Sequence, residues 1–270
     1  MNFPKELLQV YPAGEARAIW RMLMEVRFGL SHADLLLGKD KELSRAEQAE
    51  AEKLVARLLE GEPIQYVLGQ ADFCGRTFGV APGVLIPRPE TEELVACVLA
   101  ACRPCRALDV GTGSGCIATT LALEGFETTA FDISHRALVI ARENAASLGA
   151  QVDFRQEDIL HPEATDEQWQ LIVSNPPYVR QSEAEEMERN VLQHEPHEAL
   201  FVPDEDPLLF YRALARYAQE HLAAGGWLCV EINRTFGSQT RNLLLTEGFA
   251  EATLLQDSWG NDRIIKARKT

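Results

Sequence analysis

Asn175-Pro176-Pro177-Tyr178 directly follows an apolar run, Ile172-Val173-Ser174, that reads as the end of a buried strand. Two prolines are poor choices there for structure alone, because each fixes φ and removes a backbone donor. They make sense where carbonyl groups must be held rigidly toward a ligand. Such a strand end suits alkylation of a planar nitrogen. An amide nitrogen, or an amine conjugated to an aromatic ring, is a weak nucleophile because its lone pair is delocalised. The Asn175 side-chain carbonyl and the Pro176 backbone carbonyl can accept its two N–H bonds and stabilise the positive charge that grows as a methyl group arrives. Tyr178 is expected to stack on the flat acceptor. No strong base is needed first, since the proton can leave once the nitrogen is cationic. The remaining requirement is to hold nitrogen, methyl carbon and leaving atom in line.

A second constellation lies upstream. Asp109-Val110-Gly111-Thr112-Gly113-Ser114-Gly115 ends another apolar run and precedes a helical pattern. A lone GxGxG is shared by several kinds of nucleotide site, and a dinucleotide remains an alternative on that motif alone. Three acids sharpen the reading. Asp109, at the strand end, disfavours a pyrophosphate and suits an amino group or a sulfonium. Asp132 ends the next strand and can hold both ribose hydroxyls. Asp158 ends the third, placed for an adenine amino group, with Ile159 to pack the ring. With Asn175, which borders donor and acceptor alike, four strand ends are expected to meet in one crevice. S-adenosyl-L-methionine, an adenosine sulfonium with a transferable methyl group, meets these demands.

The elements that must carry these residues are visible as alternation. Strands are predicted at 107–110, 128–131, 152–155, 169–174 and 227–232, separated by helices at 90–102, 116–123, 134–148 and 208–222. The last runs, 252–255 and 263–267, flank a turn-rich stretch and read as a hairpin that makes one strand antiparallel. The pattern implies an α/β fold, a doubly wound, seven-stranded, Rossmann-like sheet over residues 89–270. Residues 1–70 read as a helical domain, with Ser44 and Glu47 spaced as a capping box and Ser31 with Asp34 opening an earlier helix. Gly75, Gly79, Pro82 and Gly83 break short β-like runs into a hairpin linker over 71–88.

Composition narrows the function classes. The formal net charge is −15, and it is uneven. Residues 1–88 carry 11 basic and 12 acidic side chains, whereas 89–270 carry 15 and 29. The half with the motifs therefore lacks the positive field of a polynucleotide-binding surface and welcomes a cationic ligand. No apolar run approaches the ~20 residues needed to span a bilayer, and no basic-then-apolar leader opens the chain. A cytoplasmic protein that is not membrane-bound is expected. The six cysteines read as reduced core residues, Cys102 and Cys105 included. His194-Glu195-Pro196-His197 reads as a loop over the site, since Pro196 disfavours a helix and no third metal ligand is near. No metal is expected, and the absence of a dimerisation pattern points to a monomer.

Several segments together resemble one known family, the HemK/PrmC protein-(glutamine-N5) methyltransferases. They are Gly61-Glu-Pro-Ile-Gln-Tyr66, Leu85-Ile-Pro-Arg-Pro-Glu-Thr-Glu92, Asp109 to Gly115, Asn175 to Tyr178, Glu195-Pro196 with Ala199-Leu200, and Gly260-Asn-Asp-Arg263. The resemblance covers nearly the whole chain. It implies a helical N-terminal domain that docks a class I peptide release factor and a class I methyltransferase domain. It also implies methylation of the glutamine in a Gly-Gly-Gln loop, a step tied to translation termination. By motif position it implies cofactor roles for Gly111, Thr112, Gly113, Ser114, Gly115 and Asp132, and substrate roles for Asn175, Pro176, Pro177 and Tyr178. The first alternative is an adenine- or guanine-amino methyltransferase of DNA or RNA, which would have to hold phosphates and a flipped base. The acidic catalytic half opposes it. A non-catalytic adaptor with a vestigial pocket is the second, and the intact motifs oppose that.

Overall fold

Ser31 and Ser44 each close a reciprocal capping box, Ser31 with Asp34 and Ser44 with Glu47. The computed structural model describes residues 3–270, and within it these caps open helices α2 (His32–Leu36) and α3 (Arg45–Leu59). They follow α1 (Ala13–Phe28) and precede α4 (Ile64–Leu68). Ala16, Ile19, Trp20, Leu23 and Met24 recur along α1 at helical spacing and pack with Ala51, Val55 and Leu58 of α3 into a core of their own. Contacts divide the chain into two units. The helical unit runs to Gln70 and also takes in Glu188–His194, most of it a short helix, α8 (Arg189–His194). The second unit comprises Ala71–Met187 and Glu195–Thr270.

From the last residue of the first unit onward, a hairpin of β1 (Gln70–Phe73) and β2 (Arg76–Gly79) turns through Cys74 (φ 49) and Gly75 (φ 70). Two successive positive φ values are what a two-residue hairpin turn matching strand twist requires. Then come α5 (Pro89–Ala101), β3 (Arg106–Val110), α6 (Cys116–Leu123), β4 (Glu127–Asp132), α7 (His135–Leu148), β5 (Val152–Gln156) and β6 (Trp169–Ser174). After β7 (Val179–Arg180) and β8 (Phe201–Val202), which pair with each other, the chain forms α9 (Leu209–His221), β9 (Leu222–Glu231), α10 (Gly237–Thr246), β10 (Glu251–Gln256) and β11 (Asp262–Arg268).

The seven-stranded sheet has the order β10-β11-β9-β6-β3-β4-β5. All neighbours from β9 to β5 are parallel, and β11 alone runs against the rest. Period-two alternation splits its side chains between two layers. Leu108, Val110, Ile172, Leu228 and Val230 face α9 and α10, packing on Tyr211, Leu214 and Leu244. Ala107, Leu171, Val173 and Cys229 face α5 and α6, packing on Leu94, Val98, Ile117 and Leu121. Each buried Leu, Ile or Val among them contributes roughly 1.5–3 kcal/mol of transfer free energy. The sheet is therefore a rigid platform for what lies at its strand ends.

Candidate active site

Strand order reverses between β3 and β6, which are direct neighbours although a β4–β5 excursion separates them in sequence. Parallel sheets open a crevice at that point, beyond the carboxyl ends of the strands. Ser174 Oγ donates to the Val110 carbonyl at 2.7 Å and ties the two ends together. Above them lies a cavity of about 1270 Å³, its open mouth included. The structure brings Gly111, Thr112, Gly113, Ser114, Asp132, Asp158, Ile159, Asn175, Pro176 and Pro177 to its wall. Asp109, Gly115 and Tyr178 are not among the lining residues.

The glycine loop is built to approach a ligand without acting as an anion nest. Gly111 and Thr112 donate their N–H groups to the Phe131 carbonyl, Gly113 to Asp132 Oδ2 at 2.8 Å, and Gly115 to the Thr112 carbonyl. With these donors spent inside the protein, the loop has little to offer a pyrophosphate. Gly111 (φ 74) and Gly113 (φ 55) have open space where a Cβ would stand, so a flat or cationic group can come close. Asp132 also accepts from the Ser134 N–H at 2.8 Å through Oδ1. Each of its oxygens keeps a lone pair for a hydroxyl. Burial pushes its carboxyl upward against the effect of the two N–H donors. Asp158 accepts from the Leu160 N–H and pairs with His161, which holds its carboxyl below the usual range despite partial burial. These features fit an adenosine with a cationic, phosphate-free tail.

Two expectations on this side are corrected. Asp109 does not reach the cavity: it is fully buried, and its Oδ2 accepts from Thr112 Oγ1 at 2.6 Å and the Ala118 N–H at 3.2 Å. It supports the loop from beneath. Gly115 serves packing, since a Cβ there would meet the Ala141 Cβ at 2.9 Å. Burial raises the Asp109 carboxyl to about 7, against the pull of its two hydrogen bonds. Between the ordinary carboxylate range and that value the folded chain keeps a proton that the unfolded chain has released, so stability falls as pH rises. Asp109→Asn keeps an acceptor oxygen and does not titrate. Its melting temperature relative to the wild type is expected to climb by a few degrees between about pH 5 and about pH 8, in cofactor-free protein. Differential scanning calorimetry at both ends checks this, and a pH-independent difference contradicts it.

On the acceptor side, Asn175 Nδ2 donates to Thr91 Oγ1 at 3.0 Å. Thr91 donates in turn to Glu231 Oε2 at 2.7 Å, and Tyr178 donates to Glu231 Oε1 at 2.9 Å. The structure does not bring Tyr178, expected to stack on the acceptor, to the cavity wall. Its half-buried ring packs on the core beside α9 and its hydroxyl is anchored inward, which holds the Pro-Pro turn in place. Asn233 Nδ2 fixes the same turn by donating to the Tyr178 carbonyl at 3.1 Å.

Sequence reasoning missed several residues here. Gly83 to Arg88, read as part of a linker, form one wall of the cavity. Arg88 pairs with buried Glu195, which also accepts from the Ile86 N–H at 3.1 Å. The loop after residue 194 does reach the site, through Pro196, Glu198 and Ala199. Asn144 joins the hairpin to the glycine loop by bonding Gly79 N–H and carbonyl and the Ser114 carbonyl. Among the described residues no group of three or more His, Cys, Asp or Glu side chains could hold a metal ion, and all six cysteines are free.

Comparison with known proteins agrees with this architecture. Residues 90–200 match the methyltransferase small domain, and residues 5–69 match the PrmC N-terminal domain. A release factor glutamine methyltransferase of Bacteroides thetaiotaomicron is 45% identical over 98% of the chain and 97% of its own length. That of Flavobacterium psychrophilum is 40% identical over 98% and 96%. Among solved structures, the 16S rRNA N2 G1207 methyltransferase of Thermus thermophilus aligns with a TM-score of 0.56 at 18% identity, covering 74% of this chain and 50% of that one. A methyltransferase from Pyrococcus furiosus aligns at 0.54 and 17%, over 79% and 95%. At such identity these structures speak for the fold alone.

Proposed function

The chain belongs to the release factor glutamine methyltransferase family, and from that premise we infer how its cavity divides the work of methylating a side-chain amide. It transfers a methyl group from S-adenosyl-L-methionine to the glutamine side-chain nitrogen of a peptide release factor. We place that glutamine in the Gly-Gly-Gln loop of class I factors, with the helical residues 1–70 docking the factor and 89–270 doing the chemistry. The chain works as a monomer in the cytoplasm, on protein rather than nucleic acid, during translation termination.

S-adenosyl-L-methionine supplies an electrophilic methyl group when bound. Asp132 would hold its ribose, the glycine loop would border its tail, and Asp158 with Ile159 would flank its adenine. Asn175 Oδ1 and the Pro176 carbonyl accept the two N–H bonds of the glutamine amide. They thereby orient its nitrogen and stabilise the cation that forms on it. Pro176 and Pro177 keep those acceptors from relaxing. Val84, Ile86, Phe210 and Leu214 give the cavity apolar walls that limit water near the reacting atoms.

What supports this reading most is one cavity lined both by Asn175, Pro176 and Pro177 and by a glycine loop whose Gly111, Thr112 and Gly113 N–H groups bond within the protein. Incubation with methyl-labelled cofactor and purified release factor, followed by mass-spectrometric mapping, is expected to place one label on the loop glutamine. Label in nucleic acid and none in release factor overturns the assignment.

A further inference from the structure

We propose that Thr91 and Glu231 are positioning residues that decide which end of the Asn175 amide faces the acceptor. The inference deepens the amide-clamp reading above and rests on it.

Hydrogen-bond polarity sets the orientation of the Asn175 amide. A carboxylate offers only acceptor oxygens. Both oxygens of Glu231 are engaged, Oε2 by the Thr91 hydroxyl at 2.7 Å and Oε1 by the Tyr178 hydroxyl at 2.9 Å. Thr91 has a single hydroxyl hydrogen, and donating it to Glu231 leaves only lone pairs on Oγ1. The group that meets those lone pairs at 3.0 Å must be a donor, so the Asn175 NH2 faces Thr91. The other end of the amide, Oδ1, is then the one free for a ligand in the cavity. A flipped amide would set Oδ1 against the Thr91 lone pairs and present N–H to an incoming N–H, donor against donor.

The relay draws on three distant segments, and its inner members, Thr91 and Glu231, are buried. Thr91 is on α5, Asn175 and Tyr178 follow β6, and Glu231 ends β9. Thr91 and Glu231 are 3% and 1% exposed, so water does not compete for either bond. Burial raises the Glu231 carboxyl and nearby Glu90 adds to this, while the two hydroxyl donors and the Arg263 charge oppose it. Arg263, itself paired with Asp257, thus helps keep the end of the relay an acceptor. The cluster permits a single amide orientation, the one that methylation of an amide requires.

The test uses Thr91→Val, Thr91→Ser and Glu231→Gln in the full chain. The Gln variant is close in size but offers one acceptor oxygen to two hydroxyl donors, so the polarity of the Thr91 hydroxyl is no longer imposed. Steady-state methylation of release factor is expected to show kcat lowered about tenfold or more in Thr91→Val and Glu231→Gln, with cofactor Kd held within about twofold. Thr91→Ser should recover most of the rate. A second measurement does not depend on the acceptor's identity: 15N-detected solvent exchange of the Asn175 side-chain amide in the free enzyme. Exchange should be slow in the wild type and Thr91→Ser, and fast in the other two. Wild-type kcat in Thr91→Val, equal losses in Thr91→Ser and Thr91→Val, or an unchanged exchange rate overturns the relay. A wild type that fails to methylate release factor but shows the exchange pattern overturns the acceptor assignment and leaves the relay standing.

Discussion

Asn175→Ala is expected to lower kcat for methyl transfer by roughly 10²–10³, about 2.7–4 kcal/mol of barrier, as deletion of one preorganised polar contact does elsewhere. Cofactor affinity should stay within about twofold, because the groups placed for the adenosine sit on other strand ends. The size follows from when the contact matters. An amide nitrogen carries little charge in the ground state and a full positive charge after methylation, so an acceptor fixed beside it gains strength along the reaction. The Pro176 carbonyl survives the substitution, which is why some catalysis remains. Asn175→Asp is the sharper variant. It keeps acceptor oxygens but sets one of them against Thr91 Oγ1, whose hydrogen already goes to Glu231. That variant should also be slow unless the side chain is protonated, so its rate should rise on mild acidification where that of the wild type does not. Turnover assays with calorimetric cofactor titrations decide the matter. Unchanged kcat in Asn175→Ala, or a loss confined to cofactor affinity, removes Asn175 from the chemistry.

What the sequence disclosed follows from the range over which its signals act. Strand and helix alternation is local, so α6 is found at Cys116–Leu123, and Ser134 caps α7 as its spacing indicates. The residues at the ends of β4 and β6 were legible because a strand end, a short turn and a ligand crevice are joined by topology. The same rule misled at Asp109. An acid at a strand end can point up into the crevice or lie beneath its loop, and Thr112, three residues on, captures it. The inward anchoring of Tyr178 was hidden for a related reason, since Pro-Pro-Tyr says nothing about where the hydroxyl points. Glu231 was hidden inside a run, Trp227 to Ile232, that reads as one continuous strand. It ends β9 just as Asp132 ends β4, so the strand-end rule would have found it with the boundary drawn one residue earlier. Its partner Thr91 lies 140 residues away, Glu195 is 107 from Arg88, and Asn144 is 65 from Gly79. Hydrogen bonds over such separations leave no spacing pattern in a single chain.

Asp132→Ala is expected to weaken cofactor binding by about 3 kcal/mol, roughly 150-fold, from the loss of charge-assisted bonds to two ribose hydroxyls. The carboxylate has a double task. The Gly113 and Ser134 N–H groups hold it from both sides, and it fixes Gly113 at φ 55 in return. Asp132→Asn therefore does not stand in for it, because its NH2 would oppose one of those two backbone donors, and it should bind nearly as weakly as the Ala variant. The pH dependence supplies an independent check. Burial raises the Asp132 carboxyl, so its protonation begins at higher pH than for an exposed aspartate. Affinity should be constant above that pKa and fall as pH drops through it, since a protonated carboxyl accepts fewer bonds. Asp109 titrates beneath the same loop and is itself raised in part by the Asp132 charge, so the comparison is made in an Asp109→Asn background, where only Asp132 changes. Calorimetric titrations across mildly acidic pH are expected to show the 150-fold gap closing as the wild type loses its carboxylate. A gap that stays constant means that Asp132 acts only by shaping the loop.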